Sequence, residues 1–318
     1  MVLNRRHNRG VDTIPSSRRR NAGGFFRVLV FSTALSAVAQ PPQPSASVHP
    51  DFEGTWSSAT AIPLERPARL KDHPFYTAEQ AAQLQRKARG ADDDPMSRLE
   101  TGSVMLPSLR TSIITDPPNG LLPGLTPSAA ATQRDRVERL HNPAAPTDMG
   151  TQDRCLLFPT AVPPMIPYRY NSNYQIVQTG DAVVVESEMI HDARIIRLDR
   201  RSHLSSNIRQ WKGDSVGHWE DATLVVDTTN FNDAGGFYGD AGGMYGWDRN
   251  MHVVERFSLL DANTILYRFE VEDPTAYMQP WKGELTMNRV LSPPFEYACH
   301  EGNWDLPNTL KLSASQPY

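Results

Sequence analysis

Residues 252–260 (HVVERFSLL), the link Asp261-Ala262-Asn263 and residues 264–272 (TILYRFEVE) decide the fold class. In the second run Ile265, Tyr267, Phe269 and Val271 alternate with Leu266, Arg268 and Glu270, the period-two pattern of a half-buried strand. The link is hairpin-sized and rich in turn formers, so the two runs pair antiparallel. Working outward, residues 174–179, 182–190 and 193–198 form an earlier set of strands, with the turn Thr179-Gly180-Asp181 inside it. Residues 223–229 and 284–290 extend the later set, and 295–299 is a candidate closing strand. A run of tight-turned strands is a meander, and seven or eight such strands close most economically into an up-and-down barrel. The expectation is an all-β, lipocalin-like barrel over 168–310, with an open twisted sheet or a β-sandwich as the alternative.

The chain ahead of these strands has another character. Nineteen prolines fall in residues 40–168 and six after them, so the front is extended or turning chain with few free amides. Residues 51–167 are read as a proline-rich segment packed on the barrel, after a linker at 40–50 and before a tail at 311–318. Gly54-Thr55-Trp56 lies in the start of an ordered strand. Two helices fit the segment. Thr77 with Gln80 makes a capping box and Gly90 a stop, while Thr126-Pro127 opens a second helix running to Leu140. The acidic run at 91–95 reads as a solvated loop.

Residues 1–39 carry the signs of an export signal. Arg18, Arg19 and Arg20 precede the apolar run VLVFSTALS, and Ala37-Val38-Ala39 offers small residues for cleavage before Gln40. The arginines also fit twin-arginine export. The mature protein is then periplasmic or secreted, with no membrane span. The 318-residue chain has net charge −4; seven arginines and one aspartate in 1–39 leave 25 basic and 35 acidic groups beyond, net −10. Such a surface repels nucleic acid and anionic membranes. Export also favours pairing the only two cysteines, Cys155 and Cys299, in a disulfide.

Three phrases resemble a family of exported bacterial proteins. They are the stretch from Tyr174-Gln-Ile-Val-Gln178 to Met189-Ile-His-Asp-Ala-Arg-Ile-Ile196, the stretch from Trp211-Lys-Gly-Asp-Ser-Val-Gly-His-Trp-Glu220 to Val225-Val-Asp-Thr-Thr-Asn-Phe231, and Phe295-Glu-Tyr-Ala-Cys-His-Glu-Gly-Asn303. The resemblance covers roughly residues 150–310 and implies export but no particular reaction. Gly54-Thr55-Trp56 is similar to the start of lipocalin-like barrels.

Phosphate loops, nucleophile elbows, zinc helices and haem motifs are missing. In Gly213-Asp-Ser-Val-Gly217 the better reading is a turn capped by Asp214, not a nucleophilic Ser215. Ionisable residues that interrupt apolar strands remain. His191 is a candidate base, with Asp192 or Glu188 to orient it and Arg194 to hold an anionic group. Glu255 shares an inward face with Val253 and Phe257 and needs a partner or a raised pKa. His300 and Glu301 follow Cys299 and would be pinned by its disulfide. Trp211, Trp247, Trp281 and Trp304, with Asn303, could line a ligand cavity. His191, His252, His300, Glu255 and Glu301 together offer donors for a divalent metal; no other cofactor is expected. Three functions fit: an acid–base enzyme (lyase, isomerase or hydrolase) acting on a small organic molecule, a non-catalytic small-ligand carrier, or a structural envelope protein. The long glycine-rich stretch 233–246 reads as a lid or variable surface.

Overall fold

A computed structural model describes residues 49–90, 105–168, 170–199, 202–234 and 249–315. The export signal, most of the linker, the acidic run at 91–95, Trp247 and most of the glycine-rich stretch lie outside the described residues.

In chain order the elements are β1 (Gly54–Ser57), α1 (Ala78–Gly90), β2 (Ile114–Asp116), α2 (Pro127–His141), β3 (Asn173–Gln178), β4 (Ala182–Ser187), β5 (Asp192–Arg197), β6 (Asp214–Glu220), β7 (Thr223–Thr229), β8 (His252–Asp261), β9 (Thr264–Glu272), β10 (Trp281–Val290) and α3 (Asp305–Ser315). Strands β3 to β10 follow one another around a sheet, and β1 bridges β3 and β10 to close a barrel of nine. Parity explains the one irregular junction. An odd number of strands cannot close with every neighbour antiparallel, and here β5 and β6 run parallel, pairing through Ile196 with Ser215 and Arg197 with Val216. The expected closed all-β barrel is thus the fold, an antiparallel meander at every junction but that between β5 and β6.

The proline-rich segment does more than pack on the wall. Strands β3 and β10 point the same way, so β1, antiparallel to both, supplies the missing stave. Strand β2 pairs with the other end of β10. The barrel therefore begins at residue 54, ahead of the expected 168. Strand β6 is a second difference. The turn proposed at Gly213-Asp214 is a strand start, with Gly213 at φ 70° and its Cα facing the Thr229 carbonyl so closely that a Cβ would lie 2.6 Å from it. Residues 295–299 form no strand, and α3 continues through the start of the expected tail, with Pro307 in its first turn where no amide is lost.

Both proline-segment helices follow their caps. The Gln80 amide donates to Thr77 Oγ1 at 3.2 Å while the Thr77 amide donates to Gln80 Oε1 at 2.9 Å. At α2 the Ala129 amide donates to Thr126 Oγ1 at 3.1 Å, with Pro127 at the first helical position.

The barrel interior is filled. Phe257, Tyr267, Phe269 and Trp281 meet in succession, tilted and then edge-on, with ring centres 4.9, 5.6 and 5.5 Å apart, and Trp56 and Trp281 are wholly buried. Gly283 leaves room for the Phe269 ring, since a Cβ there would come within 2.3 Å of it. The proline-rich chain reaches inside as well: the Met165 amide donates to the Tyr267 hydroxyl at 3.0 Å. Leu106, Ile113, Val162 and Met165 belong to the same core as the inward strand residues. The expected hollow is largely occupied by the chain's own side chains.

Candidate functional site

Inside the wall, β5, β8 and β9 each send one polar group inward. Arg194 donates twice to Glu255, at 3.1 and 2.8 Å, and the Tyr267 hydroxyl donates to Glu255 Oε1 at 2.7 Å. Arg194 is 3% exposed and Glu255 is fully buried. Burial, reinforced by the Glu255 charge, pushes the Tyr267 hydroxyl well above its ordinary range, so it stays protonated and donates. The sequence reading of Glu255 as an inward carboxylate in need of a partner is met by this cluster. It also corrects Arg194: its guanidinium is spent on Glu255 and is not available to a substrate anion.

At the barrel's end between β4 and β5 the backbone is strained. Ile190 at φ 63° and His191 at φ 41° both sit in the left-handed region. For a β-branched residue that costs about 1–3 kcal/mol and persists only where packing dictates it. Here Ile190 is buried with Met189 and Phe158, against Tyr168, Tyr297 and Cys299. The turn aims the His191 ring outward, and its Nδ1 lies 3.1 Å from the Tyr297 carbonyl oxygen. A carbonyl only accepts, so Nδ1 is the donor in this contact, and it is Nε2 that can give up or take a proton without breaking it. Beside the ring is a groove of about 390 Å3, lined by Gln175, Glu186 and Glu188 on the wall and by Pro294, Phe295 and Glu296 on the chain after β10.

The partners expected for His191 are otherwise engaged. Asp192 pairs with Lys212. Glu188 is buried, borders the groove and accepts from Asn173 Nδ2 at 3.1 Å. The Tyr297 carbonyl, 106 residues away, orients the ring instead. That carbonyl belongs to a strap tied down by the disulfide Cys155–Cys299, with sulfurs 1.99 Å apart. The sequence expectation for the two cysteines is met.

The rest of the candidate set disperses. His300 and Glu301 lie on an exposed turn after Cys299. Asn303 Nδ2 donates to the Asp153 carbonyl at 2.9 Å, bracing the disulfide, and Trp304 is exposed. Trp281 belongs to the core and Trp211 packs against that core. Ser215 is buried with its hydroxyl 3.0 Å from Thr228 Oγ1. The five residues considered for a metal sit in four different places, and among the described residues no group of three His, Cys, Asp or Glu is arranged to hold one.

The sequence reading missed a polar chain on the outer wall. His203, in the crossover from β5 to β6, reaches Asp214 Oδ2 with Nδ1 at 3.0 Å and Asp227 Oδ1 with Nε2 at 2.9 Å. His252 Nε2 meets the other Asp227 oxygen at 2.9 Å. Asp214 also accepts from Arg197 and from the Leu204 amide at 2.8 Å. Burial pushes the Asp227 carboxyl up, but the hydrogen bonds and charges of His252 and His203 outweigh it and hold it low. The same balance, won by the Leu204 amide, His203 and Arg197, lowers Asp214. The hydrogen bond to Asp227 raises His252 against opposing burial. The available signal was parity: Asp227 and His252 both fall on the outward face of neighbouring strands.

No family model and no curated protein matches this chain. Among solved structures it is similar to the crystal structure of a mutant of the fluorescent protein UnaG, at 13% identity and a TM-score of 0.23, over 38% of this chain and 72% of that one. The barrel assignment stands on the strand pairings themselves.

Proposed function

We propose that this is an exported barrel protein that carries out general acid–base chemistry on a small organic molecule in the rim groove, with His191 Nε2 as the proton carrier. The observation that carries the reading is the His191 Nδ1 contact to the Tyr297 carbonyl, made from a strained turn at the groove, which commits Nδ1 to donating and leaves Nε2 for proton exchange. Glu186, Glu188 and Glu296 border the groove, and no Lys or Arg is among its lining residues, so a cationic substrate is favoured. Export is supported by the residue 1–39 pattern, the disulfide and the resemblance to exported proteins.

The test is turnover of a panel of small organic amines followed by proton NMR. His191→Gln should lower turnover of any substrate found by about 10²–10⁴-fold, the usual share of a positioned acid–base group, with an unchanged melting temperature. Equal turnover in the variant refutes the assignment. The apolar faces of Pro294 and exposed Phe295 beside the carboxylates favour a second reading, a non-catalytic carrier of the same molecules. Binding of panel members without chemical change selects that reading.

A further inference from the structure

A second cavity, of about 340 Å3, lies between the later half of α2, the turns after it and the chain leaving β7. That is the lower end of the range typical of small-ligand pockets, about 300–1,000 Å3. Three guanidinium side chains line it. Arg136 and Arg139 lie three residues apart on one face of α2, and Arg154 comes from the turn that ends at Cys155. Thr147 and Thr151 also contribute to the lining.

The charges there are unequally engaged. The Asp148 carboxylate accepts from the Ala144 and Ala145 amides at 3.1 and 2.9 Å, with Arg139 Nε 3.9 Å away. Arg136 is engaged, one of its contacts being a hydrogen bond of 3.1 Å donated to the backbone carbonyl of Asp233, and Asp233 itself is exposed at the rim. Arg154 is half-buried, and among the described residues its guanidinium makes no hydrogen bond or ion pair. Its backbone is nonetheless fixed. The Arg154 amide donates to the Gly150 carbonyl at 3.2 Å, the next two amides bond back into the same turn, and Cys155 is tied covalently to Cys299. An always-charged planar fork held on a fixed turn is suited to a two-oxygen acceptor, and little freedom is lost on binding.

We propose that this cavity is a second binding site, for a small organic molecule bearing an oxyanion, with its carboxylate or phosphate group on Arg154 and with Arg136 and Arg139 supplying flanking positive charge. It is separate from the His191 groove in lining residues and opposite in charge preference.

Isothermal titration of the disulfide-bonded chain with inorganic phosphate and with succinate, at constant ionic strength set by sodium chloride, tests the site. Saturable binding of at least one probe is expected, and the tighter probe tells a phosphate ester from a carboxylic acid. Arg154→Gln should weaken that probe roughly tenfold or more, and Arg154→Lys, which keeps charge but loses the fork, should fall between. Arg256→Gln, on the barrel wall, should leave binding unchanged. If Arg154→Gln does not fold, Arg136→Gln reads the same loss from the helix surface. The proposal is overturned if neither probe saturates, if Arg154→Gln or its substitute binds like the parent, or if Arg256→Gln loses as much.

Discussion

Replacing Glu255 by Gln asks whether the barrel interior is sealed. Glu255 is fully buried, receives both arms of Arg194 and the Tyr267 hydroxyl, and has Val253 and Phe257 as inward neighbours on its strand. An amide can accept from Arg194 but carries no charge, so the guanidinium is left uncompensated in a water-poor core. Breaking a buried pair by removing one partner costs about 3–5 kcal/mol. Among the described residues Arg194 Nε already lacks a hydrogen bond. Removing both charges with apolar residues of similar size, Arg194→Met with Glu255→Leu, removes the desolvation penalty together with the attraction. What remains is the Tyr267 hydroxyl without an acceptor, about 1–3 kcal/mol. The double variant should therefore lie closer to the parent than Glu255→Gln does, and the cycle closed with the single variants Arg194→Met and Glu255→Leu should show a coupling of at least about 2 kcal/mol. Urea unfolding with the disulfide intact, read by tryptophan fluorescence and checked for constant m-value, measures each corner of the cycle. A Glu255→Gln loss below about 1 kcal/mol would show that water reaches Glu255, and the argument for a filled interior would fail.

Replacing Cys155 and Cys299 together by Ala releases a loop closed across 144 residues, which on the chain-entropy model costs about 5 kcal/mol at 25 °C; an unchanged urea midpoint would refute it. The outer-wall chain predicts a window in pH. The raised His252 contributes stability that is complete below its unfolded pKa of about 6.5 and is lost as pH climbs through the higher folded value. The lowered Asp214 and Asp227 contribute stability that is present above about 3.9 and lost as pH falls through their depressed values. The stability difference between the parent and His252→Gln should thus be greatest near pH 5–6 and shrink on the alkaline side; a difference flat from pH 5 to 9 would contradict the pairing.

The strands from β3 onward, β6 excepted, were legible because they carry their own alternation, and the hairpins at 179–181 and 261–263 fix their neighbours locally; β6 was hidden by Gly213 and Gly217 and was read as a turn at Gly213-Asp214. The caps at Thr77 and Thr126 were legible for the same reason, since a cap is written within four residues. Strands β1 and β2 were harder. Gly54-Thr55-Trp56 was read as part of a strand start, but four residues do not tell that β1 closes the barrel between β3 and β10, and β2, three residues long, is too short to show a period at all. The edge of β10 explains why residues 295–299 are not a strand: β10 has already spent its open side on β1 and β2.

The functional residues divide along the same line. Parity placed Glu255 inward but could not choose its partner, because Arg194 is 61 residues away and on a strand that the barrel brings opposite only after closing. For His191 the sequence marked the polar break correctly and then assigned it sequence neighbours as partners. Those neighbours are engaged elsewhere, Asp192 with Lys212 and Glu188 with Asn173. The acceptor had to come from another part of the chain. The strap between β10 and α3 provides it because the disulfide holds Cys299 two residues beyond Tyr297. The two cysteines are therefore more than a clamp on the unfolded chain: they hold the strap whose Tyr297 carbonyl meets the Nδ1 of His191.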